Sequence, residues 1–265
     1  MVKPDTKQAY WDDIADRFGQ SGAQELWRRH SDRVNKRLLD AWLPRSPTGI
    51  VLKTDLFDEA VSEGLYPFLA QRFTQVRGVD ISKRAVQAAS RKYPALEADC
   101  ADLRALPFTE PTFDCVVSNS SLDHFTEMSD VHQAMRELFR VIRPGGLLSI
   151  TMDNLQNPMV WLRNHLPQRL LQKVGLIPYF VGETLTRGGL ARGLEQAGFE
   201  VTNTTAVMHC PRAVAVARCA KLQQLGDIDR QSRYLNKLGR WERLEHWPGR
   251  YFTGHFVAAR ARRPA

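Results

Sequence analysis

The chain has 265 residues, 43% of them hydrophobic and 25% charged, which excludes wholesale disorder and fits one sizeable domain, or one domain with a modest appendage. With 37 Lys and Arg against 29 Asp and Glu, the net charge is +8, a balance that favours anionic partners without choosing among them. Cys100, Cys115, Cys210 and Cys219 form no C-x-x-C pair, so neither a metal knuckle nor a disulfide framework is readable and no metal is expected. The start, MVKPDTKQAYWDD, lacks the apolar core of a signal peptide, and no run of about 18 apolar residues occurs. The expectation is a reduced, cytoplasmic protein.

Residues 1–48 read as a polar helical cap, with Leu26, Val34, Leu38 and Trp42 recurring near one face. From Gly49 onward, short β-branched runs alternate with helical patterns. Strands are expected at 49–55, 76–80, 95–99, 113–118 and 147–153. Helices are expected at 65–73, from Ser82 (a good N-cap) to about Tyr93, and across Val131, Met135, Leu138 and Ile142 until Pro144, Gly145 and Gly146 stop the last. This rhythm predicts an α/β, Rossmann-like three-layer sandwich, a mostly parallel seven-stranded sheet whose last strand is antiparallel. The core is expected over 49–153. Residues 154–185, apolar and basic with internal prolines, form a lid insertion. Residues 186–265 complete the same domain with helices at about 186–197 and 212–225 and strands at 199–209 and 255–261.

In an open parallel sheet, ligands bind beyond the carboxyl ends of the strands, near the point where strand order reverses. Four such positions carry suitable side chains. Asp80 ends the second strand, where a carboxylate can accept both hydroxyls of a ribose. Asp102, with the Leu103 amide, suits an adenine edge, and Asp99 competes for that place. The run Ser118–His124 offers small hydrogen-bonding groups, among them Asn119, Ser120 and Ser121, and ends in a histidine able to act as base or orienter. Asp153 and Asn154 follow the fifth strand and face the same crevice.

Three motifs in order, DLRALPF over 102–108, FDCVVSNSSLDHF over 113–125 and LFRVIRPGG over 138–146, resemble the small-molecule, type 11-like branch of class I S-adenosylmethionine-dependent methyltransferases. The resemblance covers roughly residues 49–153. It implies S-adenosylmethionine as cofactor and S-adenosylhomocysteine as product. By position it places Asp80 on the ribose, Ile81 against the adenine, Asp102 and Leu103 at the adenine edge, Asn119 and Ser120 along the methionine portion, and His124 near the methyl group or acceptor. One departure stands out. The family's glycine-rich turn after the first strand reads LKTDLFDEA here, over 52–60, and no glycine arrives before Gly64. Either Asp55 or Glu59 takes the cofactor's ammonium group in place of backbone contacts, or the site has lost affinity and the fold is that of a cofactor-binding or vestigial protein without methyl transfer. The survival of Asp80, Asp102 and the 118–124 run favours the first.

Transfer from a sulfonium is an in-line displacement in which alignment and exclusion of water do most of the work. A base is needed only for a protonated acceptor, and His124 and His209 are the candidates, a structural role being the better reading of His209. The lid, with Trp161, Leu162, Leu166, Leu170, Leu171 and Ile177 beside Arg163, Arg169 and Lys173, suits a small apolar, amphiphilic or lipid-like acceptor, with oxygen ahead of carbon or nitrogen. It also allows peripheral membrane contact, although packing on its own sheet is the simpler reading. RNA methylation is the second enzymatic alternative. It is disfavoured because Asn119, Ser120, Ser121 and Leu122 stand where a nucleic-acid enzyme carries an Asn/Asp-Pro-Pro-aromatic turn. The aromatics Trp241 and Trp247 of the arginine-rich stretch 240–252 are expected to bury themselves. Oligomeric state is not legible.

Overall fold

The computed structural model describes residues 4–21, 24–45, 48–167 and 180–265. Two long helices, α1 (Pro4–Ser21) and α2 (Glu25–Trp42), precede the sheet. The core then runs β1 (Ile50–Lys53), two short helices α3 (Phe57–Val61) and α4 (Tyr66–Leu69), β2 (Gln75–Asp80), α5 (Lys83–Lys92), β3 (Glu97–Cys100), β4 (Phe113–Asn119), α6 (Met128–Val141) and β5 (Ile142–Asp153). After it come α7 (Pro158–His165), α8 (Arg187–Gln196), β6 (Glu200–Val207), α9 (Arg212–Leu225), α10 (Ile228–Gly239), a tight helical stretch Arg240–His246, α11 (Arg250–Thr253) and β7 (Phe256–Arg262). Among the described residues no helix is long and apolar enough to cross a membrane.

The seven strands lie in the order β3-β2-β1-β4-β5-β7-β6. All pairings are parallel except those of β7, which is antiparallel to both β5 and β6. Strand order reverses between β1 and β4, and the crevice at that switch point is where this topology leaves room for a ligand.

Alternation along the strands sorts the apolar side chains to two faces. Val51, Cys115 and Val117 join Leu39, Leu69 and Ala89 beneath the first helices, while Leu52, Val116 and Ile150 join Met135, Leu138 and Leu190 beneath α6 and α8. Each such fully buried Leu contributes about 2 kcal/mol relative to exposure. A third cluster packs Leu26, Val34 and Leu38 of α2 against Cys219 and Leu222 of α9 and Leu235 and Leu238 of α10. That contact holds α2 in place beside the sheet.

The expected alternation holds, with local differences. Ser82 caps α5, accepting the Ala85 amide at 3.1 Å. The helix expected at 65–73 is only the single turn α4, and α3 and α10 were not anticipated. Pro144, Gly145 and Gly146 do not stop α6. The helix ends at Val141, and the three residues lie inside β5 as an irregularity, where pairing jumps from Phe113↔Ile142 to Cys115↔Leu147. Gly146 is required there because a Cβ would come within 2.6 Å of the Ile142 side chain and 3.0 Å of the Asp114 carbonyl.

The expected lid is described at 154–167 and 180–185; Arg169, Leu170, Leu171, Lys173 and Ile177 lie outside the described residues. Its return, 180–183, runs along the loop after β4, with the Gly182 amide on the Asp123 carbonyl at 2.7 Å and the Glu183 amide on the Phe125 carbonyl at 2.8 Å. A Cβ at Gly182 would sit 1.9 Å from that carbonyl oxygen, so no other residue allows this approach. Trp161, Leu162 and Leu166 face outward and remain exposed. Trp241 and Trp247 are likewise 40% and 50% exposed, against the expectation of burial. Trp241 lies in the helical stretch Arg240–His246 and Trp247 directly after it, folded over Gly249, where a Cβ would meet its ring at 2.4 Å.

Candidate active site

A cavity opens at the carboxyl end of the sheet, over the switch point. Asp55, Asp80, Ile81, Asp102, Leu103, Asn119, Ser120, Ser121 and His124 all line it, although they come from four separate strand ends. Glu59 and His209 do not.

Asp80 is held from both sides by the backbone. Its Oδ2 accepts the Leu56 amide at 2.9 Å and its Oδ1 the Ser82 amide at 2.7 Å, so the carboxylate is aimed before any ligand arrives. Burial, reinforced by the neighbouring Asp55 charge, pushes its pKa up to about 7. Asp102 sits in the opposite electrostatic setting. Against the effect of burial, multiple hydrogen bonds from Arg104 hold its carboxyl below the usual range. Asp99, its competitor, pairs instead with Arg77 at 3.0 Å.

The loop after β4 supplies the middle of the cavity. Ser120 adopts φ 51°, an uncommon conformation for a residue with a side chain, and is tied by its amide to the Thr151 carbonyl at 3.0 Å and by its hydroxyl to Asp123 at 2.6 Å. Asn119 donates to Asn35 of α2 at 3.3 Å, and its buried Oδ1 has no hydrogen-bond partner among the described residues. A polar atom left in that state beside a cavity fits a polar ligand. His124 follows in the helical turn Leu122–His124, packed on Trp11 of α1 with ring centroids 4.6 Å apart. Its Nδ1 lies 3.1 Å from the Phe180 carbonyl, which can only accept, so Nδ1 carries a proton, and Nε2 lies 3.9 Å from Asp123 Oδ1. Phe180 is fixed in turn by its amide on the Tyr10 hydroxyl at 2.7 Å.

The turn after β1 takes the place of a glycine-rich loop. Glu59 is fully buried, paired with Lys53 at 2.8 Å, and accepts the Leu65 and Tyr66 amides at 2.7 and 3.1 Å. Although burial disfavours its ammonium, Lys53 is held charged by Glu59 and Asp55. Glu59 is thus a strut under the turn rather than a group facing the cavity, because the chain from Leu56 to Gly64 curls around it. Gly64, at φ 70°, closes that curl where a Cβ would meet the Glu59 carboxyl at 2.6 Å. Asp55 alone of the two acids reaches the cavity; its Oδ1 accepts the Phe57 amide at 2.6 Å. The 55–64 segment therefore folds upon itself and leaves the hollow between Asp80, Asp102 and Asn119 open.

His209 is buried beside β6, 2.8 Å from the Thr253 hydroxyl and 2.9 Å from the Ala206 carbonyl, and burial lowers its pKa. It is a structural partner away from the cavity. Periodicity alone could not reveal that Trp27, Arg28, Ser31 and Asn35 of α2, or Arg212 and Phe256, form the cavity's outer wall. The one available signal was the polar strip Arg28, Ser31 and Asn35, spaced three and four apart on a single helix face.

Residues 61–150 match the family described as "Methyltransferase domain". A Mycolicibacterium smegmatis protein described as a probable S-adenosylmethionine-dependent methyltransferase is 26% identical over 191 residues, 70% of this chain and 64% of that one. A malonyl-[acyl-carrier protein] O-methyltransferase of Enterobacter lignolyticus is 28% identical over 155 residues, 57% of this chain and 55% of that protein. The chain thus spans less than two thirds of the length of these relatives. In fold it is similar to the [4+2]-cyclase SpnF, with a TM-score of 0.59 at 21% identity, over 90% of this chain and 83% of the other. Motifs, sheet order and matched segment agree: residues 61–150 match a methyltransferase domain.

Proposed function

We propose that this cavity binds S-adenosylmethionine and that the protein methylates a small, amphiphilic acceptor, at oxygen ahead of carbon or nitrogen. The observation that carries the reading is convergence: Asp80, Asp102, Leu103 and Asn119, on three strand ends, line one hollow in a chain whose 61–150 segment matches a methyltransferase domain. When bound, the cofactor supplies an electrophilic sulfonium methyl. The rest falls to the chain's own residues. Asp80, preoriented by two backbone amides, accepts the ribose hydroxyls; Ile81 packs on the adenine; Asp102 and the Leu103 amide read its edge. Asp55 takes the ammonium group, and Asn119, with Ser120 and Ser121, lines the amino-acid portion. α1 and α2, bringing Trp11 and Trp27 over the mouth, exclude water. His124, its Nδ1–H held by Phe180, offers Nε2 to an acceptor hydroxyl as general base. An acceptor oxygen is also what the O-methyltransferase relative's name describes.

Calorimetry tests this directly. S-adenosylhomocysteine is expected to bind with measurable heat, and the absence of heat with it and with S-adenosylmethionine at millimolar concentration ends the reading. The glycine-free turn built on Lys53 and Glu59 keeps a second reading in view, cofactor binding without methyl transfer. It is distinguished by S-adenosylhomocysteine release on incubation with candidate acceptors.

A further inference from the structure

Among the described residues three cations line the cavity, and two of them are already paired with a carboxylate. Lys7 pairs with Asp130 at 3.7 Å, and Arg28 pairs with Asp58 while its guanidinium lies over the Phe57 ring. Arg212 differs. Among the described residues no carboxylate lies within ion-pair distance of it, and its one side-chain hydrogen bond runs from Nη1 to His255 Nε2 at 2.6 Å. A nitrogen that accepts from a guanidinium is unprotonated, so His255 is neutral and anchors Arg212 without balancing its charge. The nearby acid, Asp153, is 3% exposed and already bound by Arg163 at 2.7 Å. Its other oxygen, Oδ1, lies 3.3 Å from the same His255 Nε2, which has no proton to give it while accepting from Arg212. The cluster Asp153, Arg163, His255 and Arg212 therefore holds two positive charges against one negative, and the excess faces the cavity.

With Nη1 committed to His255, the Nε and Nη2 edge of the guanidinium remains, a geometry that suits the two oxygens of an oxyanion. Phe256, whose ring centroid is 5.6 Å from the Arg212 guanidinium, supplies an apolar neighbour. Arg212 comes from the start of α9 and Phe256 from the start of β7, beyond β5 from the strand ends that carry Asp80 and Asp102.

We propose that Arg212 binds an anionic group of the acceptor, so that the molecule methylated is an amphiphilic oxyanion, carboxylate or phosphate, rather than a neutral compound. This rests on the methyltransferase reading of the same cavity, and its test is arranged to separate the two. Octanoate, octyl phosphate and 1-octanol are titrated calorimetrically into the protein with and without saturating S-adenosylhomocysteine. The wild type is expected to bind one of the two anions at least tenfold more tightly than the alcohol, and the tighter anion names the group. Arg212→Gln brings that preference below about twofold while leaving S-adenosylhomocysteine affinity within twofold. Arg212→Lys, which keeps the charge but loses the fork, retains part of it. As a second readout on the unaltered protein, the preferred anion raises the melting temperature and octanol does not. Equal binding of anion and alcohol, no measurable anion binding, or a preference that persists in Arg212→Gln overturns the proposal. So does a loss of S-adenosylhomocysteine affinity beyond tenfold in that variant, which assigns Arg212 to the cofactor instead. An anion preference lost in Arg212→Gln still supports the anion site if S-adenosylhomocysteine itself fails to bind, and only the cofactor reading then falls.

Discussion

The turns after β1 and β4 leave adjacent strands at the same end of the sheet, yet they are built on opposite principles. After β1, the charged side chains turn inward: Lys53 and Glu59 pair beneath the loop, and Glu59 collects two amides of the chain that follows. After β4, the backbone is fastened to Thr151 and the small polar side chains of Asn119, Ser120 and Ser121 line the cavity. One turn is held by its side chains and the other presents them. A glycine-rich loop achieves close approach by having no side chains; here a buried ion pair gives the turn its shape, and Asp55, Phe57 and Asp58 line the cavity beside it.

That contrast breaks most visibly at Glu59. Glu59→Gln leaves Lys53 buried without its counter-charge, and losing one partner of a buried pair costs about 3–5 kcal/mol. Denaturant unfolding measures it, and a loss below 1 kcal/mol shows that the pair is not the strut described. Asp80→Asn probes the presenting side. Because Asn keeps one acceptor and turns a donor toward the Leu56 or Ser82 amide, a stability loss of about 1–3 kcal/mol is expected, while S-adenosylhomocysteine affinity falls more than about tenfold with loss of the charge-assisted ribose contacts; unchanged affinity removes the ribose assignment.

The pH profile sharpens the same point. With a pKa of about 7, Asp80 is largely protonated at pH 6, and only the ionised form accepts two hydroxyls. Affinity for S-adenosylhomocysteine is therefore expected to rise about tenfold from pH 6 to pH 8, as a single group titrating near 7 requires. The folding linkage has the opposite sign. Because the folded pKa lies above the unfolded one, Asp80 lowers stability as pH rises from about 4 to 7. Asp55 and Lys53 face this group and shape its titration, and Asp80→Asn flattens the profile if the assignment is right. The smallest effect is local. Ser82→Ala removes the cap of α5 and its bond to Asp12 at 2.6 Å, with an expected cost of about 1 kcal/mol in thermal unfolding.

Much of this was legible in the residues. Strand–helix alternation from Gly49 announced the sheet, and Asp80, Asp102 and the 118–124 run marked the carboxyl edge because each follows an expected strand, the one before Asp102 without a β-branched residue. Glu59 was misread, since composition shows an acid in a loop but not which way the loop curls. His209 was legible only as ambiguous, its environment of Thr253 and the Ala206 carbonyl being 44 residues away on one side and three on the other. The Pro144, Gly145 and Gly146 run looked like a helix stop because that is its commonest use, whereas pairing with β4 absorbs it here into a strand.

Sequence by itself therefore determined the order of elements and which side chains stand at strand ends, because period and punctuation act over a few residues. Tertiary structure alone decided that α1 and α2 line the cavity, that Glu59 pairs with Lys53, and that Arg212 meets His255 across 43 residues with no acid at ion-pair distance among the described residues. Charges and orphaned polar atoms acquire their meaning from neighbours distant in the chain, and only packing brings those neighbours together.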